Sequence, residues 1–95
     1  MITLTGKKSE YKIENSNEHL KITGSVVIAE DNHIVTLNGS FNTLEDLYVG
    51  AFNYSETNNG KCTKNIGDTD IDNINNADEL LRSTINELKA MINEL

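Results

Sequence analysis

The sequence contains no proline and no tryptophan, and among its 95 residues it has one cysteine, Cys62. A single cysteine excludes an intrachain disulfide and a cysteine-based zinc cage. No stretch approaches the roughly 18 consecutive apolar residues of a membrane span, and the opening MITLTGKKSE lacks the basic start and apolar run of a signal peptide. These absences predict a soluble, cytoplasmic protein.

Basic residues are also scarce. Eight Lys and Arg stand against fifteen Asp and Glu, which gives a net charge of −7. This excess of negative charge repels phosphate backbones and anionic lipid surfaces. We therefore expect no direct contact with nucleic acid or membrane, and a protein partner with a basic surface.

The pattern of apolar residues predicts a single domain over residues 1–95, with a sheet over 1–66, an acidic, Asn-rich loop over 67–76 and a helix over 77–95. Up to about Ile66 the apolar residues alternate or form short β-branched groups, which is typical of strands. Turn residues separate these groups, as in Asp31-Asn32 and Asn58-Asn59-Gly60. We expect an antiparallel meander of about five or six short strands.

The hairpin around Asp31-Asn32 is the best-defined part of this prediction. A two-residue loop there places Glu30 opposite His33, Ile28 opposite Val35 and Gly24 opposite Gly39. The glycine pair leaves room for a side chain or helix to approach the backbone. One face of the hairpin is then apolar: Ile22, Val26, Ile28, Val35, Leu37 and Phe41.

The following stretch, TLEDLYVGAF over residues 43–52, fits two structures. Thr43 is suited to cap a short helix, with Asp46 at its third position. The alternation of apolar residues after Leu47 favours a strand over 47–55 that returns through Lys61 to Ile66. We predict the strand.

From Ala77 onward the period becomes helical, and apolar residues recur every three or four positions. The predicted amphipathic helix covers one face of the sheet and completes an α+β domain. The same spacing also fits a short helical seam between two copies of the chain, so the sequence allows a monomer or a homodimer formed through this helix. The stripe consists of Ala77, Leu80, Leu81, Ile85, Leu88, Met91, Ile92 and Leu95.

The segment DTDIDNINNADE, residues 68–79, has the ligand spacing of a calcium loop. Set against the EF-hand motif, Asp68, Asp70 and Asp72 fill positions 1, 3 and 5. The carbonyl of Ile74 stands at position 7 and Glu79 at position 12. The segment resembles EF-hand loops, and the single loop-helix units of dockerin modules, which implies calcium as a cofactor and a calcium-stabilised binding or structural module.

A simpler hypothesis explains the same residues without a metal. Position 6 is Asn73, where the motif has glycine, and no helical pattern precedes the loop. Asn76 can cap the predicted helix while Glu79 completes a capping box. In this hypothesis the acidic loop is solvated and only starts the helix.

Few residues are suited to catalysis. His19 and His33 are the only imidazoles, and neither stands in a recognisable motif with a nucleophile. The glycines are scattered singly, so no phosphate-binding loop is present. His33 is more simply a cross-strand partner of Glu30, and Cys62 an apolar strand residue. We expect a protein that is not an enzyme.

Binding to another protein is the remaining function. The acidic residues between Lys64 and Arg82 form a candidate partner-binding patch, which could imitate a short run of phosphates: Asp68, Asp70, Asp72, Asp78 and Glu79. In size, acidity and lack of motifs the chain is similar to the small inhibitors that phages and mobile elements encode, anti-CRISPR proteins among them. This resemblance implies an inhibitor or adaptor that occupies a basic surface.

Overall fold

The computed structural model describes residues 2–7 and 10–93. Six strands form one antiparallel sheet in which each strand pairs with the next along the chain. A single helix, α1, follows the sheet. The elements are β1 (Thr3–Lys7), β2 (Glu10–Ser16), β3 (Leu20–Ile28), β4 (Ile34–Thr43), β5 (Tyr48–Glu56), β6 (Cys62–Gly67) and α1 (Ile74–Ile92).

The predicted fold class is confirmed: the helix lies on one face of the antiparallel sheet and packs mainly on β3. Phe41 and Phe52 meet in the core with ring centroids 5.2 Å apart. Leu81 and Leu88 of the helix stripe are fully buried within the single chain. From Ala77 to Ile92 the stripe therefore packs in the core of the single chain, which leaves little of this part free for a helical seam with a second copy.

Three hairpins share one loop geometry at a spacing of 14 residues. The loops span residues 29–33, 43–47 and 57–61, and in each the first residue donates a backbone hydrogen bond to the carbonyl of the fifth. The fourth residue has positive φ in every case: Asn32 (72°), Asp46 (71°) and Gly60 (90°). Asn, Asp and Gly tolerate this conformation best, so the sequence supports the geometry at each loop.

This geometry corrects the predicted register at the tip of the β3–β4 hairpin. Its loop has three residues between Ala29 and His33, so His33 lies opposite Ala29 and not opposite Glu30. Ile28 consequently pairs with Ile34. A bulge then restores the predicted register, with Val26 opposite Leu37 and Ile22 opposite Phe41. Ile34 is therefore fully buried, whereas Val35, which we had placed on the apolar face, is 42% exposed.

Gly24 lies opposite Gly39, as predicted. A Cβ atom on Gly24 would lie 2.1 Å from the carbonyl oxygen of Asn38, and one on Gly39 would lie 2.0 Å from that of Thr23. The space is thus filled by the backbones of the two strands themselves, and not by a side chain or a helix. No residue with a Cβ fits at either position without moving a strand.

The helix begins three residues earlier than predicted, at Ile74, with Asn73 as its N-cap. Asp70 starts it: its Oδ1 accepts a hydrogen bond from the backbone N of Asn73 at 2.9 Å, and its carbonyl oxygen accepts from the N of Ile74 at 3.1 Å. Asn76 lies inside the first helical turn, so the predicted capping box of Asn76 and Glu79 is wrong. The last described helical residue is Ile92, and the predicted end at Leu95 lies outside the described residues.

A buried polar contact fixes the helix on the sheet. The side-chain amide of Asn15 on β2 donates to the hydroxyl of Thr84 at 2.9 Å and to the carboxylate of Glu87 at 2.8 Å. Thr84 in turn donates to the carbonyl of Leu80. The directional bonds favour one position of the helix along the sheet.

The one helix among the described residues, α1, is too polar to cross a membrane.

Candidate interaction surface

The acidic segment after β6 lies against the turn between β4 and β5. The hydroxyl of Tyr48 donates a hydrogen bond of 2.8 Å to Oδ2 of Asp68. This bond raises the pKa of the Tyr48 hydroxyl above its ordinary value of 10.0, so the group remains a donor at neutral pH. A Cβ on the buried Gly50 would lie 2.9 Å from Thr69, so glycine lets the segment cross β5 closely.

The predicted site residues have different surroundings. Asp70 holds the turn before the helix, and Asp78 forms an ion pair of 2.6 Å with Lys64 of β6. Asp72 and Glu79 are exposed and make no side-chain hydrogen bond or ion pair within the described residues. The structure thus places the five carboxylates on one end of the molecule, and engages three of them internally.

The structure does not bring the calcium-loop residues together. No group of three or more His, Cys, Asp and Glu side chains in the described ranges is arranged to hold a metal ion. Asp68 is turned towards Tyr48 and Asp70 towards the backbone. Ile74 begins the helix, so its carbonyl lies along the helical hydrogen-bond direction and away from a loop centre. The EF-hand spacing is therefore not matched by EF-hand geometry.

The same end of the molecule carries most of the large hydrophobic side chains that are exposed in the described part of the chain. Five of the six exposed large hydrophobic side chains among the described residues come from the β4–β5 turn with the first residue of β5, and from the acidic segment with the first residue of α1. Ile71 is the extreme case at 88% exposure, because it stands at the tip of the turn that Asp70 holds. The five are Leu44, Leu47, Tyr48, Ile71 and Ile74.

Negative charge surrounds these side chains. The two segments, residues 44–48 and 68–79, carry seven acidic residues and no basic one. Lys21 and Lys64 reach in from neighbouring strands to pair with Asp46 and Asp78. We call residues 44–48 and 68–79 the acidic end surface. Clustered apolar side chains with a polar rim are typical of protein-binding surfaces.

A groove opens beside this surface, between the edge strand β6 and the start of α1. It has a volume of about 360 Å³ and is lined by Lys64, Ile66, Ile74, Asn75 and Asp78. Ile66 and Ile74 form its apolar wall, and the Lys64–Asp78 pair bounds it on the polar side. The groove is continuous with the acidic end surface because both contain Ile74 and Asp78.

A second cluster of charged groups, which the sequence did not indicate, lies at the opposite end of the sheet. Glu56 accepts hydrogen bonds from the backbone N of Ile34 at 2.8 Å, the hydroxyl of Tyr54 at 2.6 Å and the amine of Lys89. Burial alone would raise the pKa of Glu56, but these three donors hold it below its ordinary value. The Glu56 carboxylate, with only 8% of its side chain exposed, thus joins two strands and the helix.

His33 lies close to this cluster but is bonded to Asp31. Both residues line a cleft of about 340 Å³ together with Glu56 and Lys89. Glu56 is hydrogen-bonded to Lys89 and Asp31 to His33, and no nucleophilic side chain is hydrogen-bonded to either histidine in the described residues. Through Glu56 these contacts join the β3–β4 hairpin to the helix.

Comparisons with protein-family models, curated proteins and solved structures gave no match. The basis for a function is therefore the acidic end surface itself.

Proposed function

We propose that this protein is a non-enzymatic interaction protein, an inhibitor or adaptor, that binds a basic protein surface through its acidic end surface. The observation that carries the proposal is the coincidence of the exposed apolar side chains with the densest negative charge. Exposed apolar groups supply contact energy on binding, and the carboxylates select and steer a basic partner.

Internal contacts hold this surface in place. Tyr48 is held by Asp68, and Asp70 holds the turn that presents Ile71. A surface that is ordered before binding loses less conformational entropy when the partner arrives. This order favours a specific contact over a merely solvated face.

A partner that normally binds nucleic acid is one form of this proposal, because its groove presents the required positive charge. In that form the acidic end surface takes the place of phosphates and the protein acts as an inhibitor, as the resemblance to anti-CRISPR proteins implies. Competition by nucleic acid for the partner distinguishes this inhibitor from an adaptor.

The experiment uses two triple charge reversals with the same net change. Glu45→Lys, Asp72→Lys and Glu79→Lys alter exposed side chains that make no hydrogen bond or ion pair among the described residues, so the fold is expected to remain. The control is Glu10→Lys, Glu14→Lys and Glu30→Lys, on β2 and at the opposite end. Three reversals of two units each move the net charge from −7 to −1 in both.

All three proteins are used to capture partners from the native host, and the retained proteins are quantified by mass spectrometry. A partner that binds the wild type and the control, but is lost with the first triple variant, supports the proposal. Equal retention by all three proteins, or equal loss with both variants, would contradict a localised acidic surface.

A further inference from the structure

We propose that the groove between β6 and α1 binds one large apolar side chain of a short basic segment of the partner. This inference rests on the proposed function and names the part of the partner that the surface recognises. It identifies a linear segment with Lys or Arg next to a Leu, Ile, Met or aromatic residue.

The lining of the groove provides an apolar contact. Ile66 is partly buried against the core and Ile74 is 42% exposed, so a guest side chain would cover apolar surface that water now contacts. Fully burying one such side chain raises the affinity of a complex by about tenfold or more.

The charges around the groove determine the rest of the guest. Asp78, which lines the groove, is already paired with Lys64. Asp72 stands two residues before Ile74 and Glu79 directly follows Asp78 in the chain, and both are exposed and without a hydrogen-bond or ion-pair partner in the described residues. A cationic residue next to the apolar anchor would therefore meet Asp72 or Glu79 and leave the Lys64–Asp78 pair intact. An acidic segment would meet uncompensated repulsion.

The edge position of β6 favours an extended guest. β6 pairs with β5 on one side only, and five of its six residues are exposed. A strand edge offers free backbone groups to an extended peptide, while side-chain pockets beside it provide specificity. The groove lies at this edge, so one alternate side chain of the peptide would enter it.

The test uses a displayed library of random twelve-residue peptides, selected on the wild-type protein. Affinities of the enriched peptides are then measured for Ile74→Asn and for the control Val35→Asn. Ile74 and Val35 are both 42% exposed, so the two variants remove equally exposed apolar groups at distant places. Circular dichroism of both variants establishes that they remain folded.

We expect peptides that combine Lys or Arg with a large apolar residue, and a loss of affinity of at least about tenfold for Ile74→Asn with less than about twofold for Val35→Asn. Selection of no peptide, or equal binding to both variants, would overturn the groove as the binding site. If peptides bind both Asn variants equally but lose affinity when Glu45, Asp72 and Glu79 are reversed to Lys, the proposed function stands and the groove is not the binding site. If the affinity of the peptides is also unchanged by that charge reversal, both the groove and the proposed function are contradicted.

Discussion

The start of the helix can be tested by three substitutions at two residues, Asp70 and Asn76, whose importance the structure and the sequence pattern rank differently. In the structure, Oδ1 of Asp70 accepts from the N of Asn73 at 2.9 Å, whereas Asn76 lies within the first helical turn. Loss of a side-chain acceptor at a helix start typically costs about 1 kcal/mol. We expect Asp70→Ala to lower the free energy of unfolding by that amount, and Asp70→Asn, which keeps an acceptor oxygen, to cost much less.

Asn76→Ala should be neutral or slightly stabilising, by up to about 0.7 kcal/mol, because alanine is the better helix former. Urea unfolding followed by circular dichroism resolves these values, since with a slope of about 2 kcal/mol per molar a change of 1 kcal/mol moves the midpoint by roughly 0.5 M. If Asn76→Ala destabilised the protein and Asp70→Ala did not, the helix would begin at Ala77 and our account of the segment would be wrong.

Three further predictions concern the fold and the calcium hypothesis. Gly24→Ala should abolish the cooperative thermal unfolding transition, because its Cβ would lie 2.1 Å from the carbonyl oxygen of Asn38. A normal melting curve for this variant would refute the close approach of the two strands. Glu56→Gln should destabilise the protein by roughly 1–3 kcal/mol at pH 7, since it leaves Lys89 without its anionic partner. The pKa of Glu56 in the folded protein lies below its ordinary value of 4.5. Its contribution to stability is therefore complete above pH 4.5 and is lost as the pH falls through the folded pKa. Urea titrations at several pH values should show that the free energy of unfolding falls less on acidification in Glu56→Gln than in the wild type. Calcium or a chelator should leave the melting temperature unchanged, and a rise with calcium that Asp72→Ala abolishes would restore the calcium loop.

The apolar periods were sufficient to predict the fold class, because strand and helix patterns separate cleanly at the acidic segment. The register at the β3–β4 tip was not predictable from alternation alone. The three-residue loop, with Asn32 at positive φ, pairs Ile28 with Ile34 instead of Val35. A compensating bulge leaves Val26 with its predicted partner. The recurrence of Asn32, Asp46 and Gly60 every 14 residues was a signal in the sequence that would have indicated the loop type.

The surface was partly predictable. The five carboxylates of residues 68–79 were visible as a charge run, but their apolar neighbours in residues 44–48 are distant in sequence and lie nearby only because β5 and β6 pair. The contacts of Glu56 were hidden for the same reason, since its three donors come from β4, β5 and α1. The helix start at Ile74 was not predictable, because it depends on the side chain of Asp70 and the neighbouring sequence contains several other residues equally suited to cap a helix.

The most direct test of the central claim is the association rate constant of a captured partner, measured by surface plasmon resonance from low to high salt. Electrostatic steering by the acidic end surface predicts fast association that slows as salt rises. Reversal of Glu45, Asp72 and Glu79 should slow association sharply and flatten this salt dependence, whereas reversal of Glu10, Glu14 and Glu30 should do neither to the same degree. An association rate that is equal for both variants, or insensitive to salt in the wild type, would contradict binding through the acidic end surface.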